Sequence, residues 1–166
     1  MSSIARAIAL FSVITISLLS CNQDPCNGKN CDNGVCDAVS GDCICIDGYQ
    51  FGADNLCTVE WTTKFVKSYT VTDSCIGMNP GSTTYPVVIT STSPTTLSLD
   101  NLGNKGLAMT ATHTNSTNFT INETLSNGKV VVGTGSLLND TIFTINYIYG
   151  DTTQASQIDT CTASFK

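Results

Sequence analysis

The chain has 166 residues, of which 41% are hydrophobic and only 12% are charged, and its formal net charge is −6. A charged fraction about half of the usual ~25% argues against a helix-rich cytosolic enzyme, and the 25 threonines favour extended structure. Arg6 is the only arginine, and nucleic-acid or phosphate binding needs clustered Lys and Arg. We therefore expect no nucleic-acid partner.

Residues 1–20 have the pattern of a signal peptide. Arg6 is followed by an apolar run over residues 7–19, which is shorter than the ~20 residues that a membrane-spanning helix needs. The next residues resemble the lipobox of bacterial lipoproteins, with the sequence Leu18-Leu19-Ser20-Cys21. That resemblance implies cleavage before Cys21, a lipid on its thiol and a lipidated linker over residues 21–25. An ordinary secretory signal is the alternative.

The lipid would decide where the protein resides. Two or three buried acyl chains hold a protein stably on a membrane surface, whereas one chain gives only marginal binding. We therefore expect a protein of the cell envelope that is anchored to the membrane without spanning it. Asn22 follows the lipidated cysteine, as in lipoproteins released to the outer membrane of diderm bacteria.

A cysteine-rich block occupies residues 26–57. So short a block cannot build a sufficient apolar core, so we expect disulfides to hold it together. A zinc site is disfavoured because export leads to an oxidising compartment and the cysteines are not arranged as paired Cys-x-x-Cys knuckles. Spacing alone leaves many pairings open among the six, which are Cys26, Cys31, Cys36, Cys43, Cys45 and Cys57.

The pattern of this block resembles an EGF-like module. One residue separates Cys43 from Cys45, and the segment Asp47-Gly48-Tyr49 follows before Gly52 and the last cysteine. The resemblance implies a small two-stranded hairpin and the pairs Cys26–Cys36, Cys31–Cys43 and Cys45–Cys57.

Calcium binding by the module is not expected. Some EGF-like modules bind calcium before the first cysteine and after the third. Here Pro25 interrupts the first group and Ala38 occupies the position of the second. Calcium needs roughly six to eight oxygen ligands, and too few are in register. We expect no metal and no cofactor.

Residues 61–166 predict one β domain. Short runs of β-branched and aromatic residues recur there between turn signals, and Asn127-Gly128 is the strongest hairpin signal. No connection is long enough for a helical crossover, so the strands form an antiparallel meander. The predicted strands are 61–73, 85–91, 95–101, 106–112, 117–123, 129–136, 141–149 and 158–165.

Alternation and two remote cysteines predict how the meander closes. Phe143, Ile145 and Tyr147 share one side of their strand, which indicates a sheet curled around an apolar core. A Cys75–Cys161 bond would join the first strand to the last. With Cys21 lipidated, no thiol is left over. The predicted fold class is therefore all-β: a small disulfide-rich EGF-like module plus an antiparallel meander of about eight strands that forms a small barrel or half-barrel.

The second half also resembles the calycin-like, lipocalin-like β domains of Bacteroidota lipoproteins. The residues that carry this resemblance are 69–75, 133–137, 144–147, 161–162 and Lys166. The Gly-x-Trp sequence of true lipocalins is absent, since Glu60 precedes Trp61.

No catalytic constellation is evident, and we expect no enzyme. His113 is interpreted as a solvated loop residue, because it is a lone histidine with no acid next to it, and a catalytic base needs a nucleophile and an orienting partner. Gly133-Thr134-Gly135 lacks the lysine and helix of a phosphate loop and is interpreted as a β-turn or bulge.

Two functions are consistent with the sequence. The favoured one is a non-enzymatic envelope lipoprotein, anchored at Cys21, in which the EGF-like module is a stiff spacer that presents the β domain to a protein or a glycan. The alternative is a carrier of a small apolar ligand in a lipocalin-like barrel. Predicted strands of this length make a narrow barrel, whose aromatic residues would fill it.

Overall fold

The computed structural model describes residues 24–139, 142–151 and 153–166. The predicted signal peptide, the lipidation site at Cys21 and residues 22–23 of the linker lie outside the described residues. Within the described ranges, no helix has the length and apolar character that crossing a bilayer requires.

Residues 24–60 form a small unit, here called the disulfide module. Two short antiparallel pairs build it: β1 (Gly34–Cys36) with β2 (Cys43–Cys45), and β3 (Tyr49–Gln50) with β4 (Val59–Glu60). Buried sulfur atoms replace an apolar core. The bonds are Cys26–Cys36, Cys31–Cys43 and Cys45–Cys57, the same pairs that the EGF-like resemblance implies.

The rest of the chain is a closed antiparallel β-barrel, and the predicted all-β fold class is confirmed. Each strand pairs with the next along the chain, and the last strand pairs with the first. The structure thereby decides between the barrel and the half-barrel in favour of closure. The strands are β5 (Ser68–Gly77), β6 (Gly81–Ser93), β7 (Thr96–Asp100), β8 (Ala108–His113), β9 (Asn118–Thr124), β10 (Val130–Asn139), β11 (Ile142–Gly150) and β12 (Ile158–Phe165).

The seam between β12 and β5 carries the long-range disulfide. Cys161 and Cys75 are directly opposite each other in the register, and their sulfurs are bonded. The bond therefore joins the two ends of the meander, as the sequence predicts.

The predicted first strand, residues 61–73, is wrong over its first part. Trp61–Lys64 forms a 3₁₀ turn, and β5 begins only at Ser68. Thr62 and Phe65 are both fully buried. In a 3₁₀ turn, residues three apart share a face, so this turn directs both side chains inward, which strand alternation cannot do. Phe65 thereby closes one end of the barrel.

The predicted turn or bulge at Gly133-Thr134-Gly135 is wrong, because this segment is regular strand within β10. A β carbon at Gly135 would lie 2.0 Å from Cζ of Phe119, and one at Gly133 would lie 2.6 Å from Cβ of Tyr147. The glycines are present because aromatic side chains of the neighbouring strands occupy the space that a side chain would need.

Inward-facing side chains form a packed core around Phe65. The alternation predicted for β11 holds, since Phe143, Ile145 and Tyr147 are buried. Aromatic rings pack edge to face, with centroids 5.2 Å apart for Phe65 and Phe143 and 5.4 Å apart for Tyr69 and Phe165. The part of the interior around Phe65 and Tyr69 is therefore densely packed.

Candidate functional site

The up-and-down topology gives the barrel two ends with different surroundings. One end, here called the module end, carries the β6–β7 and β8–β9 turns. The opposite end, here called the pocket end, carries the β5–β6, β7–β8, β9–β10 and β11–β12 connections.

The disulfide module packs against the module end. The Trp61 indole N–H donates to the carbonyl of Tyr49 at 2.8 Å, and the Trp61 backbone N–H donates to the carbonyl of Gly48, also at 2.8 Å. A β carbon at Gly48 would lie 2.8 Å from Cβ of Pro94 in the β6–β7 turn. The two parts therefore touch at a small interface without room for an added methyl group.

A cavity of about 450 Å³ opens at the pocket end. Its walls come from the beginnings or ends of β5, β6, β11 and β12 and from the β7–β8 connection, and the Cys75–Cys161 disulfide forms part of them. The side chains that matter for its chemistry are Asp73, Asn79, Lys105, Tyr147, Tyr149 and Asp159.

Asp73 is a carboxylate buried at the pocket, with 3% of its surface exposed. Its Oδ2 accepts hydrogen bonds from the hydroxyls of Tyr85, at 2.9 Å, and of Tyr147. The Gly103 backbone N–H in turn donates to the Tyr85 hydroxyl at 2.8 Å. The network ties β5, β6 and β11 together across the barrel.

Both tyrosines of this network remain protonated donors. Burial, followed by the charge of Asp73 and its hydrogen bond, raises the pKa of Tyr85 well above its usual range. Burial and the hydrogen bond to Asp73 raise the pKa of Tyr147 further. Their hydroxyls therefore donate to Asp73 throughout the physiological pH range.

Asp159 is the second buried carboxylate of the pocket, and it fixes the β5–β6 turn. The Asn79 backbone N–H donates to Oδ1 of Asp159 at 2.6 Å, and the Asn79 side-chain amide donates to Oδ2 at 3.1 Å. Burial by itself would raise the pKa of Asp159. The two hydrogen bonds and the charge of Lys105 outweigh that effect and lower the pKa.

Tyr149 presents an aromatic face to cations at the same end. The Lys105 ammonium lies 4.4 Å from the ring centroid, and the Lys129 ammonium lies 5.1 Å from it. Both separations are within cation–π range.

Among the residues that the structure describes, one group of potential metal ligands lies in the pocket, but its chemistry does not suit a metal. Ligand atoms of Asp73, Cys75 and Cys161 lie within 4.8 Å of one another. The two sulfurs are bonded to each other and provide no thiolate, which is the form of cysteine that binds metals. A single carboxylate remains.

His113 is not the solvated loop residue that the sequence predicts. It is 6% exposed, and its ring centroid lies 5.0 Å from that of Phe65. Nδ1 lies 3.0 Å from the Asn115 carbonyl and therefore carries the proton, while Nε2 has no partner among the described residues. Burial lowers the pKa of His113. The strand periodicity contained the signal, because residue 113 follows Met109 and Ala111 on the inward face of β8.

The two buried carboxylates were not identified as site residues from the sequence. Asp73 follows Tyr69 and Val71 on the inward face of β5, and Asp159 precedes Cys161 on the inward face of β12. An acid at an inward position of an otherwise apolar strand face was the available signal.

Three solved structures are similar to part of the chain. They are EF1p2_mFAP2b bound to DFHBI (TM-score 0.49, 12% identity, 64% of this chain and 96% of that chain), a redesigned β-barrel (0.47, 12%, 66% and 96%), and the redesigned β-barrel mFAP1 bound to DFHBI (0.46, 15%, 65% and 99%). No protein-family model and no curated protein matches the chain. The fold class therefore rests on the strand pairing itself.

Proposed function

We propose that the chain is a non-enzymatic binding protein of the cell envelope, anchored by a lipid on Cys21. The EGF-like disulfide module is a spacer, and the pocket end of the barrel is the binding face for a protein or a glycan. The observation that carries the proposal is the position of the module. It packs on one end of the barrel through Trp61, and the cavity with Asp73 opens at the other end.

Combined with the proposed anchor at Cys21, this arrangement supports a pocket that faces away from the membrane. The module follows the proposed anchor directly in the chain and contacts the barrel through the Gly48–Tyr49 backbone. Three disulfides make the module stiff for its size. An anchor at the start of the module and a pocket at the far end of the barrel leave the pocket accessible to partners outside the membrane.

The chemistry of the pocket supports binding and not catalysis. His113, the one histidine of the chain, lies at the module end, so the pocket lacks a histidine base. Asp73 is engaged by two tyrosine hydroxyls and Asp159 by Asn79. These contacts hold the carboxylates in place, as a recognition site requires.

The alternative, a carrier of a small apolar ligand inside the barrel, is not favoured by the packing. Phe65, Phe119 and Phe143 occupy the interior at the module end. The cavity at the other end is lined by the buried Asp73, and an apolar ligand would leave its Oδ1 without a hydrogen-bond donor. A stoichiometric apolar molecule in an organic extract of the native protein would overturn this assessment.

Intact mass spectrometry of protein extracted from membranes tests the anchor. We expect the mass of residues 21–166 plus lipid, with a gain of eight hydrogens on reduction of the four disulfides. The Cys21→Ala variant should lack the lipid in its mass. An unlipidated native mass would contradict the anchor.

Epitope accessibility tests the orientation. One variant carries a short epitope in the β9–β10 turn at Asn127, at the pocket end, and its matched control carries the same epitope in the β8–β9 turn at Ser116, at the module end. In liposomes that contain the lipidated protein, an antibody should bind the epitope at the pocket end more strongly. Equal binding, or stronger binding at the module end, would refute the spacer arrangement.

A further inference from the structure

One oxygen of the buried Asp73 carboxylate has no hydrogen-bond donor in the described part of the chain. Both tyrosine hydroxyls donate to Oδ2. Sγ of Cys75 lies 3.9 Å from Oδ1, but this sulfur is bonded to Cys161 and has no hydrogen to donate. Asp73 is 3% exposed, and a buried carboxylate oxygen without a donor is costly to keep.

The same carboxylate has no counter-ion among the described residues. Lys105 and Lys129, the lysines near this end, lie over the ring of Tyr149 and form no ion pair with Asp73. The only arginine, Arg6, belongs to the predicted signal peptide. Buried charges in proteins are generally paired, so Asp73 marks a position where an external cation would be stabilised.

The space beside Asp73 suits a small organic molecule. The cavity of about 450 Å³ lies within the range of small-ligand pockets. Tyr149 adds an aromatic face, which already attracts ammonium groups, and the Cys75–Cys161 disulfide adds an apolar wall. A carboxylate, an aromatic face and an apolar wall together are complementary to a cation with an apolar part.

We propose that the pocket binds a small organic ammonium ion, whose N–H groups donate to Oδ1 of Asp73 and whose apolar part lies against Tyr149 and the disulfide. This inference rests on the proposed role of the pocket end as the binding face, and it names the class of ligand. A metal ion fits less well, because calcium needs roughly six to eight oxygen ligands and Asp73 is the only free carboxylate donor of the metal-ligand group.

Calorimetric titration of the purified Cys21→Ala protein, which keeps all four disulfides, tests the proposal with benzylamine as the probe. Benzyl alcohol, which has nearly the same shape and no charge, is the control ligand. We expect saturable binding of benzylamine and binding of benzyl alcohol that is roughly ten- to a hundredfold weaker, the range of a charge-assisted hydrogen bond. Equal binding of the two, no binding of benzylamine, or calcium binding that displaces it would overturn the proposal.

Three variants place the probe in the pocket. Asp73→Asn keeps an oxygen that accepts the tyrosine hydroxyls but removes the charge, so benzylamine affinity should fall at least about tenfold. Asp100→Asn is the matched control, because it makes the same change at an exposed position of β7 outside the pocket, and its affinity should stay within about twofold. Lys105→Met removes a competing ammonium and should tighten binding about threefold.

Circular dichroism checks that each variant folds. If Asp73→Asn does not fold, the Lys105→Met variant and the benzyl alcohol comparison still decide the question. A carboxylate with a purely structural role gives no reason for Lys105→Met to bind benzylamine more tightly. Unchanged affinity in a folded Asp73→Asn protein would refute the site.

Failure of this inference can be told apart from failure of the proposed function. The titration uses soluble protein and does not depend on the lipid or on orientation. Correct anchoring and epitope exposure without amine binding would support the envelope role and refute the proposed class of ligand. Amine binding by a protein that is not anchored would support the proposed binding site and refute the envelope role.

Discussion

Removal of the disulfide at the barrel seam should cost a large part of the stability of the barrel. The double variant Cys75→Ala/Cys161→Ala deletes a bond between residues separated by 86 positions. Seven residue pairs along the β5–β12 ladder remain, so the folded barrel should still close. The main effect is therefore expected in the unfolded chain, which gains the freedom that the cross-link denied it.

The size of the loss follows from loop-closure entropy. For a sequence separation of 86, the chain-entropy relation gives about 4.6 kcal/mol at 25 °C. Most domains have a free energy of unfolding of only about 5–15 kcal/mol. The variant should therefore be folded but marginally stable. Its unfolded state should also be more expanded, which raises the dependence of the free energy on denaturant.

Urea denaturation followed by circular dichroism measures both quantities. The control variant Cys26→Ala/Cys36→Ala opens a loop with a sequence separation of only 10 in the disulfide module, and it should leave the transition of the barrel nearly unchanged. A loss below about 1 kcal/mol in Cys75→Ala/Cys161→Ala would refute the argument. It would mean that the unfolded chain keeps its ends together without the bond.

Three further predictions concern the module interface, the barrel strands and the buried histidine. Gly48→Ala should weaken the packing of the module on the barrel by about 1–3 kcal/mol, because its β carbon would overlap the β6–β7 turn, and the variant should be cleaved faster by proteases between the two parts. Gly28→Ala is the control, because Gly28 also has a positive φ but has open space around it, and it should leave the cleavage rate unchanged. Gly135→Ala should destabilise the barrel by about 1–3 kcal/mol in the same urea assay, because its β carbon overlaps a ring of β9, and an unchanged midpoint would show that the ring moves freely. The pKa of His113 is lowered in the folded state, so the unfolded chain takes up the proton of this histidine at a higher pH than the folded chain does. The free energy of unfolding should therefore fall as the pH is lowered from 7.5 to 5.5, by at most about 1.4 kcal/mol per pH unit. His113→Phe should lose that dependence, and an identical pH profile in both proteins would contradict the neutral buried ring.

The periodicity of the sequence predicted most of the barrel, because one side of each strand must be apolar when a sheet encloses a core. The alternation of Phe143, Ile145 and Tyr147 identified the inward face of β11. Asn127-Gly128 predicted the turn between β9 and β10, which the Gly128 N–H closes by donating to the carbonyl of Leu125.

The errors came from residues whose role depends on neighbours distant in the chain. Gly135 is a strand residue because the ring of Phe119, on the neighbouring strand, occupies the place of its side chain. Trp61 lies in a 3₁₀ turn because its N–H groups bond to the backbone of the disulfide module. Local propensity contains neither contact, so glycine was interpreted as a turn and tryptophan as a strand residue.

The sequence by itself determined the all-β class, the acidic character and the cysteines that hold the chain together, since these follow from composition, spacing and a period of two. Only the tertiary structure decided that the barrel closes and that the module and the pocket lie at opposite ends. It also decided that Asp73 meets two tyrosines from other strands. A carboxylate acquires its environment from side chains that strand pairing brings together, and this pairing spans 74 positions between Asp73 and Tyr147. The register of a closed sheet sets such contacts, and no local pattern of residues encodes them.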